Sequence, residues 1–213
     1  MAGATAMANA EEILRILKKE YPNTKYYLSF SNPLQLMVAA ILSAQCRDEV
    51  VNVVTAKLFQ KYKTAADFTK LKDKDISSIT FFKNKAKNIR EACRIIMDKF
   101  RHKVPETMEE LVTLPGIGRK TANAILINAF DKVAGVVVDT HVIRVTYRLG
   151  FTKNTNPEKI EKDLMAVVPK SEWKRITWLL KDHGRAVCRA PVPYCGKCVL
   201  NKICPKQGVT KSL

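Results

Sequence analysis

Four of the six cysteines in this chain fall within one short stretch, CRAPVPYCGKCVLNKIC, at Cys188, Cys195, Cys198 and Cys204. Their spacing, C-x6-C-x2-C-x5-C, lets four thiolates converge on one soft metal centre without help from the rest of the fold. Four-cysteine zinc sites are commonly built from two close pairs, and only one close pair is present. An iron–sulfur cluster accepts wider and uneven loops, although this spacing matches neither ferredoxin pattern. On spacing alone, a cluster, zinc and unliganded thiols all stay open. Arg189, Lys197, Lys202 and Lys206 surround the loop, where they would offset thiolate charge and could lie along a phosphate backbone. Cys46 and Cys93 stand alone in apolar helical patterns and read as buried small hydrophobes.

A second constellation is LPGIGRKTANAIL, from Leu114 to Leu126. Gly116 and Gly118 bend the chain between two helical patterns, and Lys120 falls on the first turn of the second. Helix starts favour negative charge, so this lysine works against stability and serves some other purpose. Backbone N–H groups at such a turn can hold a phosphate oxygen. No strand precedes the turn and the sixth-position glycine is missing, which excludes a dinucleotide fold, and P-loop spacing is absent too. Further on, VVVDTHVIRV places Asp139 where it can cap a helix beginning near Thr140.

The elements that must position these groups are helical almost throughout. Asn32-Pro33 is a cap and first helical position ahead of LQLMVAAILSAQ, where Leu34, Met37, Val38, Ile41 and Leu42 share a face. Asp48 can cap a helix carrying Val51, Val54 and Leu58. Asn84 precedes a helix with Ile89, Cys93, Ile96, Met97 and Phe100 at helical spacing, and Thr107 with Glu110 has the separation of a capping box. Asn156-Pro157 and Ser171 announce later helices, the first ending near Pro169. Only Val136-Val137-Val138 resembles a strand, and without a partner it reads as a buried extended connector. The fold class is all-α, with short linkers and no repeat of fixed period.

Bulk properties narrow the partner. The 213 residues suffice for one large domain or two small lobes. Lys and Arg number 37 against 20 Asp and Glu, a net charge of +17, which points to a polyanion and most often to nucleic acid. Aromatics at 8% do not form the basic-aromatic pattern of a single-strand stacking platform. No segment approaches the ~20 apolar residues that span a bilayer. The opening MAGATAMANAEE lacks the charged and apolar regions of a signal peptide and reads as a flexible tail, with Met7 an alternative start. An intracellular, reducing compartment is expected, where six cysteines do not make a disulfide framework.

Taken in register, ILSAQCRDEVV, LPGIGRKTAN, VVVDTHVIRV, HGRAVC and the cysteine tail resemble endonuclease III, a family of helix-hairpin-helix DNA glycosylases. The likeness runs from about Leu28 to Pro205. It implies two helical lobes flanking a DNA-binding cleft. Residues 28–133 would form a six-helix barrel lobe with the helix-hairpin-helix, and residues 1–27 with 134–213 a lobe holding a 4Fe–4S cluster on the four cysteines. The implied partner is damaged double-stranded DNA, bound by a monomer.

The same resemblance assigns roles. Lys120 would be the nucleophile, and a positive helix end within a dry cleft would favour its free amine. Asp139 would support oxocarbenium character and proton transfers. Gln45 would fill the space of an extruded base, and Phe81 would be the apolar wedge. Thr80 replaces the glycine common in that hairpin, which bears on substrate range rather than reaction class. Leu114, Gly116, Gly118, Arg119 and Thr121 would line the DNA contact. His141 reads as structural or phosphate-facing, His183 as cleft-lining or packing, and His102 as a loop residue. The expected activity is excision of damaged, oxidised pyrimidines followed by cleavage 3′ to the abasic site. Its rivals are a glycosylase of the same fold acting on pyrimidine dimers or mismatched bases, and a non-enzymatic iron–sulfur DNA-binding protein. The adenine glycosylase branch fits poorly, because Lys120 is present and the chain stops at Leu213.

Overall fold

The structure, a computed structural model, describes residues 2–213, with side chains from residue 9 onward. Ten α-helices and no strand occur among the described residues. The chain divides into two compact units, one joining its N-terminal part up to Lys25 with Gly135–Leu213, the other running from Tyr26 to Ala134. No helix among the described residues is long and apolar enough to cross a membrane.

In the unit of Tyr26–Ala134 the centre is α2, Pro33–Ser43. The Asn32 side chain accepts from Gln35 N at 2.9 Å, and Pro33 opens the first turn without wasting a donor. Every residue from Leu36 to Leu42 is buried, so α2 is enclosed on all sides rather than along the single face its spacing suggested. Against it pack α3 (Asp48–Lys61), α5 (Phe82–Lys99) and α7 (Arg119–Ala129), with α4 (Ala65–Phe68) on α5 and α6 (Met108–Leu111) on α7. Asp48 is the first residue of α3 and not its cap, which is Arg47; its charge still suits a helix start. Helix α5 begins two residues before Asn84, at Phe82, because Phe81 adopts a left-handed conformation that starts it. Thr107 accepts from Glu110 N and donates to Glu110 Oε2, closing the start of α6. Cys93 is fully buried, and burial pushes its thiol up to about 12. Cys46 is half-buried against the same core.

The other unit gathers α1 (Ala2–Glu20), α8 (Thr140–Arg148), α9 (Pro157–Val167) and α10 (Trp173–Ala186), followed by the cysteine loop. The alanine-rich opening, expected as a flexible tail, is instead the beginning of α1, since alanine has the highest helix propensity. The side chain of Met7 lies outside the described residues. Ile13, Leu14 and Leu17 follow the helical repeat into a core shared with Val142, Val145, Leu164, Ile176 and Leu180, and Ala10 one turn before them is buried too. Asn156 caps α9, and a 3-10 turn at Lys170–Glu172 leads into α10. Val136 and Val138 are buried in the connector, whose Val137 carbonyl accepts from the Thr177 hydroxyl at 2.9 Å.

Candidate active-site hairpin and cysteine centre

The hairpin before α7 assigns different work to its two glycines. Gly116 has φ +83°, and a Cβ there would stand 3.0 Å from Asn88 Nδ2 and 3.3 Å from Ile41 Cγ2. Glycine is required by the fold at this point. Gly118 has φ −93° and a Cβ there would meet nothing within 4 Å. Nothing inside the protein demands glycine at 118, yet a side chain would stand over the open start of α7. Gly118 is also the N-cap and, having no side chain, supplies no side-chain cap to α7. A helix N-terminus without a side-chain cap suits an anion.

Arg119 and Lys120 are exposed at this start, and Thr121 is half-buried behind them. The desolvation expected for Lys120 is therefore not supplied by the chain alone; the positive helix end is. Leu114, expected at the DNA contact, turns its side chain into the core at 2% exposure. Its carbonyl accepts from Ile117 N at 3.1 Å, so it closes the hairpin from beneath.

Asp139 caps α8: its Oδ1 accepts from His141 N and Val142 N, both at 2.9 Å. Those two bonds hold the half-buried carboxylate in one orientation. Arg144 Nη2 lies 3.1 Å from His141 Nδ1 and donates to Gly184 O at 2.9 Å. Arginine only donates, so His141 is neutral with its proton on Nε2. Burial is the largest cause lowering its basicity, opposed by Asp139 and assisted by Arg144. A Cβ at Gly184 would press on both side chains at 3.1 Å, which explains a glycine after His183.

Gln45 and Phe81 share an unusual backbone. Both are exposed and both have positive φ, +52° and +57°, a strained choice for residues other than glycine. Phe81 is 64% exposed, and large apolar groups presented this way mark contact surfaces.

The four clustered cysteines all line one cavity together with Arg148 and His183. Arg148 Nη1 donates to Cys188 Sγ at 3.4 Å, and Lys206 N donates to Cys204 Sγ at 3.4 Å. His183 is buried, with Nδ1 3.2 Å from the Tyr21 hydroxyl and Nε2 3.6 Å from Cys198 Sγ. If the hydroxyl donates to Nδ1, the Nε2 proton points at the sulfur. Burial brings His183 down to about 4 and pushes the Cys198 thiol up to about 11. No three His, Cys, Asp or Glu side chains among the described residues close on a point that a single ion could occupy. A ring of thiols about a cavity, with N–H donors aimed at sulfur, matches the donor set of an iron–sulfur cluster. Asn201 lines the same cavity with a buried amide oxygen lacking a hydrogen-bond partner, and its amide turned over would offer a donor there. Sequence reasoning missed the sulfur contacts of His183 and Arg148; the HGR and cysteine motifs were visible, but not their convergence.

Comparison with known proteins agrees with this architecture. Residues 38–170 match the HhH-GPD superfamily of base excision DNA repair proteins, a span holding the hairpin and Asp139 but not the cysteine loop. Endonuclease III of Synechocystis is 51% identical across 95% of this chain and 94% of its own length. The Escherichia coli endonuclease III is 40% identical across 91% of this chain and 93% of its own. A solved non-covalent endonuclease III–DNA complex superposes with TM-score 0.89 at 39% identity, covering 94% of this chain and 95% of that one. A trapped endonuclease III–DNA covalent intermediate gives TM-score 0.86 at 40% identity, covering 92% and 96%. The fold and hairpin thus define a helix-hairpin-helix base excision repair protein. Within that class the chain belongs to the endonuclease III family, and it is a bifunctional DNA glycosylase and abasic-site lyase.

Proposed function

We propose that Lys120 is the nucleophile of this chain, acting on a damaged, oxidised pyrimidine in duplex DNA, inside the cell and as a monomer. The observation that carries the reading is the placement of an exposed lysine on the first turn of a helix with no side-chain cap, behind a glycine with open space for a Cβ. The Lys120 amine attacks C1′ of the damaged nucleotide and the bond from C1′ to the base breaks, the base leaving with the electron pair and gaining a proton. Loss of the amine proton and opening of the sugar ring leave a C1′=Nζ Schiff base. Removal of a proton from C2′ then expels the 3′ phosphate oxygen, nicking the strand on that side. Bound DNA supplies the desolvation that the free chain does not.

Asp139, fixed by its two bonds to the start of α8, supports positive charge at the sugar and assists proton transfer. Gln45 and Phe81 enter the stack as the damaged nucleotide leaves it. Backbone groups of Gly118, Arg119 and Thr121 hold a phosphate, and Gly116 shapes the turn that presents them. Cys188, Cys195, Cys198 and Cys204 hold a 4Fe–4S cluster, supported by their common cavity and the donors to their sulfurs. When bound, the cluster supplies a rigid, redox-capable anchor for the basic loop and takes no part in the steps at the sugar.

Borohydride tests the assignment. Wild-type protein mixed with a duplex carrying one oxidised pyrimidine should give a covalent adduct on reduction, and Lys120→Ala should give none while still binding DNA. A wild-type level of adduct from Lys120→Ala would falsify the role of Lys120. Duplexes carrying one defined lesion each separate oxidised pyrimidines from dimers and mismatches.

A further inference from the structure

One buried cation is absent from the roles above. Lys85, on α5, is 6% exposed, and its Nζ donates to Leu42 O at 2.8 Å and Ala44 O at 2.5 Å. Both acceptors belong to the end of α2, whose last carbonyls lack intrahelical partners; the bond to Leu42 O is buried, and that to the C-cap Ala44 O is partly so. The negative end of α2 favours a cation there. Burial holds the Lys85 ammonium below lysine's ordinary range, with Cys46 acting in the opposite sense.

A helix end can be finished far more simply, by a glycine or asparagine just beyond it. Here the donor comes from a residue more than forty positions away, and its own location explains the choice. The backbone N–H of Lys85 donates to Phe81 O at 3.2 Å, closing the first turn of α5 behind the left-handed Phe81. Its side chain meanwhile grips Ala44 O, immediately before the left-handed Gln45. One residue therefore ties together two of the exposed positions with left-handed backbones, the two that carry the insertion role.

We infer that Lys85 is a positioning residue, which fixes the turn bearing Gln45 to the turn bearing Phe81 so that both side chains enter a duplex as one rigid, two-pronged unit. The inference rests on the insertion role given above to Gln45 and Phe81. Held strain of this kind persists only where surrounding structure determines it, and Lys85 supplies that determination for both turns. Losing it should slow extrusion of a stacked base while sparing the elimination chemistry of a site already without one.

The test uses the full chain with its cluster and the variant Lys85→Met, which keeps length and removes all three donors. Unstacking is followed by the fluorescence of 2-aminopurine placed beside the lesion, base excision under single turnover, and nicking on a preformed abasic duplex. Extrusion and excision should fall by about 10-fold to 100-fold, the scale of hydrogen bonds from a charged donor. Nicking of the abasic duplex should stay within about 2-fold. Adding Lys85→Met to the double variant Gln45→Ala, Phe81→Ala should cause no further loss of extrusion. An equal loss of excision and nicking, or a full further loss in that background, would show Lys85 to be a helix cap alone and overturn the inference. Normal extrusion by the double variant would overturn the insertion reading itself, and that outcome is seen without touching Lys85. Should Lys85→Met fail to fold, Lys85→Gln retains an uncharged amide NH2 on a shorter side chain and carries the same comparison, with a smaller loss of extrusion expected and an unchanged rate refuting it.

Discussion

Exchanging Gly116 and Gly118 separately should divide two functions that the hairpin motif merges. At Gly116 the backbone is left-handed, and an L-residue there costs about 1–2 kcal/mol before any contact is considered. A Cβ would also approach Asn88 Nδ2 to 3.0 Å and Asn88 Cβ to 3.2 Å, with Ile41 Cγ2 behind at 3.3 Å. Gly116→Ala should therefore lower the unfolding midpoint by about 2–8 °C for a chain of this size. At Gly118 the backbone has the extended geometry of an N-cap, with φ −93° and ψ 175°, and open space for a side chain. Gly118→Asp installs one of the best capping residues, so the fold should gain a few tenths of a kcal/mol or stay unchanged. The same carboxylate would occupy the place of a phosphate. At about 4 Å it repels that phosphate by about 1 kcal/mol in water, and by more as water is excluded, so affinity should fall about 5-fold at the least. Phosphate contacts carry no sequence information, so the loss should be the same for damaged and undamaged duplexes. Calorimetry and fluorescence anisotropy at a fixed salt concentration measure the two quantities. Wild-type affinity in a stably folded Gly118→Asp would refute the reasoning, since the bare helix start would then hold no phosphate.

Two further outcomes follow from the site geometry. Asp139→Asn should leave the unfolding midpoint unchanged, because an asparagine oxygen caps α8 as well as aspartate does, while single-turnover base excision falls by about 10²-fold; equal excision would remove Asp139 from the chemistry. Anaerobically purified protein should carry about four irons per chain, and Cys198→Ser should reduce iron content and folded yield together; stoichiometric zinc in a colourless protein would overturn the cluster.

What could be read along the chain was local. Apolar residues at helical spacing, Asn32, Thr107 and Asn156 at N-cap positions, and the ordered run of motifs from the SAQ segment to the cysteine tail each depend on neighbours within a turn or on spacing itself. These were enough to establish an all-helical chain and its family. Tertiary structure decided what depends on distant residues. Spacing gave α2 one apolar face, and only the ring of helices around it buries the whole of Leu36–Leu42. Leu114 stands beside the hairpin in sequence, yet its side chain is drawn into the core. Gly116 and Gly118 look equivalent in LPGIG; Asn88 and Ile41, far away along the chain, make only the first indispensable to the fold. Nothing beside Lys85 in the sequence marks its amine for the end of α2, and His183 meets Cys198 only because α10 and the cysteine loop fold back on each other. Hydrogen bonds across 15 to 43 residues have no local signature, because the partner is chosen by packing and not by the sequence beside it.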